Sequence, residues 1–214
     1  MKHLTFYLDF ISPYAYLAFH ELPQALMGLS YTVTYRPVFL GAMLKHNAML
    51  GPAEVPPKRD WIYRQVQWLA HQKGLKLEMP AQHPFNPLGL LRLAVAMQAQ
   101  GHPNRYVCET LFRHVWEGGS DANDAQRLTD LTALLAPARP TGDASVKTQL
   151  KDNTDAAIAQ GVFGVPAIEV DGKVFWGLDS LPMLRNYLDG DAWFSDAQWN
   201  GVSAIPSALS AASR

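Results

Sequence analysis

Polar and apolar positions alternate near both ends of the chain and recur at helical spacing between them. From His3 to Phe10, Leu4, Phe6, Leu8 and Phe10 fall on one face and His3, Thr5, Tyr7 and Asp9 on the other, which predicts a strand. Ser12-Pro13 follows at once, a good helix cap and a good first helical residue. Ala15, Phe19, Leu22 and Leu26 then recur at helical spacing, and Tyr31 to Phe39 alternates again as a second strand. Strand, helix and strand in this order suggest a βαβ unit with a parallel pair.

In the middle only helical stripes appear. They run through Ile62, Val66 and Leu69, through Leu88, Leu91 and Val95 after Asn86-Pro87, through Val107, Leu111 and Val115, and through Leu128, Leu131 and Leu135. A fifth helix is predicted over Asp143 to Gln160. Strands return at Pro166–Val170 and Lys173–Trp176, joined by Asp171-Gly172, a strong hairpin signal. Leu181, Leu184 and Leu188 mark a last core helix.

The resulting pattern, βαβ, helical domain, ββα, is the layout of an α/β thioredoxin-like fold with a long all-helical insertion. Residues 1–44 and 161–192 are expected to form the thioredoxin-like domain, 45–160 the inserted helical domain and 193–214 a C-terminal tail, loose from Ser203 onward where alanine and serine dominate.

Composition narrows the function. The 214 residues carry a formal net charge of −1 with no long run of one sign, which gives no support for a nucleic-acid partner. No stretch is long and apolar enough for a membrane span. The apolar start from Leu4 to Ala18 is interrupted by Asp9 and Pro13 and does not read as a signal peptide. A lone cysteine, Cys108, excludes an intrachain disulfide framework and makes a cytoplasmic setting the simplest expectation. Cys108 falls in a helical stripe and is expected to be a buried, inert thiol. The seven histidines include no His-x-x-x-His or His-x-His pair, so no metal site is expected, and His83 and His114 read as structural or surface residues.

Three short motifs carry candidate chemistry. Ser12-Pro13-Tyr14-Ala15 stands at the strand-to-helix turn where thioredoxin-like oxidoreductases hold Cys-x-x-Cys. The unpaired amides of a helix N-terminus lower a thiol's pKa. With serine and alanine in place of the cysteines, the thiolate must come from outside. Ser12 then either donates its hydroxyl hydrogen to a bound thiol or merely caps the helix. In the second motif, Gly161–Pro166, proline precedes a strand. In this topology a cis proline there leaves the preceding backbone free to pair with a bound peptide; otherwise it is a routine loop-to-strand turn. In the third, Trp176–Ser180, Asp179 and Ser180 either cap the last helix or bind the α-amino and α-carboxylate groups of a γ-glutamyl unit.

Taken together, the chain resembles 2-hydroxychromene-2-carboxylate isomerases and the related kappa-class glutathione transferases. The resemblance extends to about Asp189 and rests on Phe6–Tyr14, Arg36–Gly41, Pro57-Lys58 with Tyr63, His83–Asn86, Val162–Pro166 and Trp176–Asp179. It implies a homodimer with glutathione as cofactor and a small aromatic carboxylate as substrate. It also implies a reaction in which the thiolate adds to a conjugated carbon, the former double bond rotates, and expulsion of the thiol restores it in the trans form. By position, Ser12 faces the sulfur, Pro13 and Tyr14 extend that turn, and Val165-Pro166 pairs with the cysteinyl backbone. Asp179 and Ser180 hold the γ-glutamyl end. Lys58 stands near the glycyl carboxylate or the substrate acid. Arg59 either joins it there or is a solvated surface charge, and Trp61 and Trp68 either line an aromatic-substrate pocket or are core or interface residues. Relatives often carry a ligand-reaching asparagine where this chain has Met49; Asn47 is a possible substitute. The other readings are a transferase or peroxidase that consumes glutathione, and a redox-inactive thioredoxin-like module that binds peptides or proteins.

Overall fold

The computed structural model describes residues 1–206; positions 207–214 of the expected tail lie outside the described residues. In chain order the elements are β1 (Lys2–Leu8), α1 (Pro13–Ala25), β2 (Tyr31–Pro37), α2 (Leu40–His46), α3 (Pro56–Gln72), α4 (Leu88–Ala96), α5 (Arg105–Trp116), α6 (Ala125–Leu135), α7 (Ala144–Ala159), β3 (Ala167–Val170), β4 (Lys173–Trp176) and α8 (Leu181–Leu188). The strands form one sheet in the order β2-β1-β3-β4. β1 pairs parallel with β2 and antiparallel with β3, and β3 pairs antiparallel with β4. This is a thioredoxin-like fold with a helical insertion between its two halves.

Local signals account for most element boundaries. Asn104, Asp124 and Asp143 cap α5, α6 and α7 by accepting from the amides of Val107, Arg127 and Ser145 at 3.0, 2.8 and 2.7 Å. Ser12 caps α1 by accepting from Ala15 N at 3.2 Å. Asp171-Gly172, both with positive φ, turns β3 into β4.

The central strand is covered on both sides. Leu4, Phe6 and Leu8 pack with α1 in the main core, and Tyr7 joins Val38, Met43, Ala157, Val165 and Ala167 in a second cluster under α2 and α7. Three of the four polar positions of the alternation, Thr5, Tyr7 and Asp9, are therefore buried too, while His3 stays exposed. A central strand in a three-layer arrangement loses its solvent face.

The insertion shares the main core with the thioredoxin-like part. Phe112 of α5 meets Phe10, Phe19 and Tyr16 at ring-centroid distances of 4.9, 5.3 and 6.0 Å. Trp116, one turn further, is fully buried. Cys108, on the same helix, is fully buried, and burial pushes its thiol well above the usual range, so it is not a nucleophile. At the C-terminal side, Phe194 packs against Phe175, Tyr187 and Trp199 at 6.0, 5.3 and 5.2 Å, so residues 192–200 fold back over the hairpin.

Phe112→Ala removes the ring that joins the two parts. It is expected to cost about 3–5 kcal/mol, with one shared urea transition for both parts; two separate transitions would contradict a common core.

Candidate functional site

The turn between β1 and α1 has its backbone groups held from several directions. Ser12 N donates to Asp9 O at 3.1 Å. Trp116 Nε1 donates to Phe10 O at 3.0 Å. His83 Nε2 lies 2.8 Å from Ile11 O. A carbonyl only accepts, so Nε2 carries the hydrogen and Nδ1 is an acceptor, sharing the Tyr63 hydroxyl hydrogen with His83 O, each 2.8 Å from Tyr63 Oη. Burial holds His83 below the usual histidine range, which keeps this tautomer neutral at neutral pH. Asp9 is fully buried and accepts from Ile11 N at 3.2 Å and from Leu40 N at 3.0 Å.

Ser12, so fixed, is itself buried, and its hydroxyl points across to Val165 O at 3.4 Å. That is long for a hydroxyl donor, so the hydrogen is weakly committed. The Val165-Pro166 bond is cis. Among the described residues, Val165 N–H makes no hydrogen bond. A buried residue with a free amide beside a weakly engaged carbonyl is an open place for a strand-like ligand.

A cavity of about 770 Å³ opens beside Val165, and Ser12, buried behind it, does not line it. Tyr14, Val165, Pro166 and Asp179 line it together with Gln65 and Leu69 of α3. Tyr14 Oη donates to Gln65 Oε1 at 2.7 Å, which leaves the Gln65 amide hydrogens free. Burial, and then the nearby Asp179 carboxylate, raise the Tyr14 hydroxyl above its ordinary value. Asp179 is exposed to the cavity and has no ion-pair partner among the described residues. Gly177 makes its position possible: φ is +95°, and a Cβ there would stand 2.4 Å from Asp179 Oδ1.

The remaining expected residues fall elsewhere. Pro13 is buried at the first position of α1. Ser180 is buried, and its hydroxyl donates to Gly177 O at 2.8 Å, so it shapes the loop. Asn47 ends α2, donates back to Met43 O at 2.9 Å, and lines a separate cavity of about 290 Å³ with Met49 and Gly161–Phe163. Lys58 and Arg59 stand on the first turn of α3, Arg59 beside Asp60, and Trp61 is 61% exposed. None of these three lines the larger cavity. Sequence reasoning missed Gln65, one turn beyond Trp61 on α3, and Asp9, whose polarity on a strand otherwise rich in large apolar residues is the signal for it.

A model of the DsbA-like thioredoxin domain matches residues 3–189. The chain belongs to this family. It is 30% identical over 199 residues to a 2-hydroxychromene-2-carboxylate isomerase of Sphingobium xenophagum, covering 87% of this chain and 98% of that protein. It is 27% identical over 212 residues to glutathione S-transferase kappa 1 of Rattus norvegicus, covering 89% of this chain and 92% of the relative. The solved structure of a 2-hydroxychromene-2-carboxylate isomerase superposes with a TM-score of 0.75 at 22% identity, covering 92% of this chain and 98% of that one, and shares the fold.

Burial raises the Asp9 carboxyl from 3.8 to about 7, against the lowering effect of its amide donors. A carboxyl with a raised folded-state pKa contributes its full stability below about 4 and loses it as pH climbs through 7. The slope from this group is ~1.4 kcal/mol per pH unit between those values. Carbon NMR of Asp9 is expected to show a midpoint near 7; titration at the ordinary carboxyl value would contradict the burial argument.

Proposed function

We propose that the chain binds glutathione in this cleft and uses it as a cofactor to isomerise a small aromatic acid of the 2-hydroxychromene-2-carboxylate class. The observation that carries the reading is the pairing of Ser12, on a turn with no thiol of its own, with the free backbone edge of Val165. A peptide that brings its own thiol fits both. The similarity to isomerases and kappa-class transferases over most of the chain supports the same reading.

When bound, glutathione supplies a nucleophilic thiol for reversible addition to a conjugated carbon. The chain's own residues bind, orient and polarise. Val165 N–H and C=O hold the cysteinyl backbone in strand fashion. Ser12 turns its weakly held hydroxyl hydrogen from Val165 O to the sulfur and stabilises negative charge there, with the positive end of α1 behind it. Asp179 receives the γ-glutamyl ammonium, and its lack of a cationic partner leaves it free to do so. Gln65, held by Tyr14, faces the cavity with two amide hydrogens, which suit a carboxylate. The resemblance further assigns a second carboxylate to Lys58 and Arg59 and an aromatic ring to Trp61, although none of the three lines the cavity. The setting is the cytoplasm.

Kappa-class relatives favour a second reading on the same site, a transferase that consumes glutathione. Thiol accounting separates the two: turnover of a chromene carboxylate with no net loss of thiol is expected for the isomerase, and stoichiometric loss for the transferase.

Calorimetry tests the site. Wild type is expected to bind glutathione in the micromolar to millimolar range. Asp179→Ala is expected to weaken binding by about tenfold or more, the value of a hydrogen bond to a charged group. No binding by wild type at several millimolar would remove the cofactor and the isomerase reading together.

A further inference from the structure

Asp9 is a fully buried carboxyl that bonds to no cation among the described residues. Its two oxygens reach two different turns. Oδ1 accepts from Ile11 N, next to Ser12, at 3.2 Å, and Oδ2 accepts from Leu40 N, the first residue of α2, at 3.0 Å. Helix α2 has no side-chain cap of its own, since Phe39 occupies the cap position. Its first amides are held from afar, Leu40 N by Asp9 and Phe39 N by Thr154 Oγ1 at 3.0 Å. The far end of α2 carries Asn47, in the cavity beside Gly161–Phe163, the residues leading to Val165. One carboxyl thus fastens the turn that presents Ser12 to α2, whose Met43 packs with Val162 and Val165 of the cis-proline loop.

The corresponding amide does not replace it. Ile11 N and Leu40 N are both donors, so the bridge needs two acceptors, and an amide offers one acceptor and one donor group. Burying a carboxyl is costly, and a merely structural cap at either turn needs only a serine or an asparagine.

We propose that Asp9 is a positioning residue for the thiol site, setting the place of the Ser12 hydroxyl by bridging the start of α1 to the start of α2. The proposal rests on the glutathione reading above. Asp9 touches neither sulfur nor substrate; it acts through Ser12.

Two independent variants test it. Asp9→Asn breaks one of the two bonds. Leu40→Pro removes the amide donor and leaves Asp9 intact. Proline is compatible with the first position of a helix, and Phe39 before it has the extended backbone that a following proline requires (φ −92°, ψ 102°). Leu40→Ala, which keeps the N–H and trims the side chain, is the control. The readout is the pKa of the bound glutathione thiol, followed by its ultraviolet thiolate absorbance.

Asp9→Asn and Leu40→Pro are each expected to raise that pKa by about one unit, a tenfold loss of relative thiolate stabilisation, with Leu40→Ala unchanged. The sign matters. If Asp9 acted only as a nearby negative charge, Asp9→Asn would lower the thiol pKa and Leu40→Pro would not change it; that result overturns the proposal. A shift in Asp9→Asn alone confines its role to the Ile11 turn and overturns the bridge. If Asp9→Asn fails to fold, Leu40→Pro against Leu40→Ala decides. A wild type that binds no glutathione refutes the underlying function. A wild type that binds it with a lowered thiol pKa, together with unaltered variants, refutes the role of Asp9 alone.

Discussion

The structure depends on the fixing of a four-residue turn, Asp9 to Ser12. Four of its backbone groups are committed: Phe10 O to Trp116, Ile11 O to His83, Ile11 N to the Asp9 carboxyl, Ser12 N to Asp9 O. Two of these partners come from the helical insertion. The insertion is therefore part of the site's scaffold as well as a source of cavity-lining residues. An unpaired backbone group in so buried a place costs about 1–3 kcal/mol, so the turn has little freedom to move without breaking several bonds at once. A serine on such a turn keeps its oxygen in one place while its weakly held hydrogen stays free to turn to a ligand, which is what preorganised stabilisation of a developing charge requires.

Across the cleft the situation is reversed. Val165 keeps an N–H with no partner among the described residues, and Asp179 keeps a carboxylate with no cation. One wall is saturated and the other is left open, which is the arrangement expected where a peptide-like ligand completes the bonding. The absence of cysteine at positions 12 and 15 and the burial of Cys108 mean that any thiol chemistry on these walls uses a thiol brought in by the ligand.

Much of this was legible in the sequence, for local reasons. Ser12-Pro13, Asn104, Asp124 and Asp143 sit at helix starts they cap themselves, and Asp171-Gly172 makes a turn few other pairs make, so the parallel pair, the hairpin and the helical insertion between them followed. What the sequence hid was held by tertiary bonds. Helix α2 gave no sign because its cap is borrowed from Asp9 and Thr154, at sequence distances of 31 and 115 residues. His83, read as structural or surface, turned out to hold the very turn that carries Ser12. Asp9 sat on the polar side of an alternating strand, and alternation alone does not tell that both faces of a central strand are covered. Gln65 lay among surface residues of α3, and only the packing of that helix over Tyr14 brings it to the cavity.

The central claim is that a fixed Ser12 turn and a free Val165 edge together receive a thiol-bearing peptide. Amide chemical-shift mapping on adding glutathione tests it most directly. The account predicts large shifts at Ser12, Tyr14, Val165 and Gly177–Ser180, with Val165 N–H becoming protected from exchange. Shifts scattered over the surface, or confined to the exposed Trp61 and Trp68 face of α3, would contradict it.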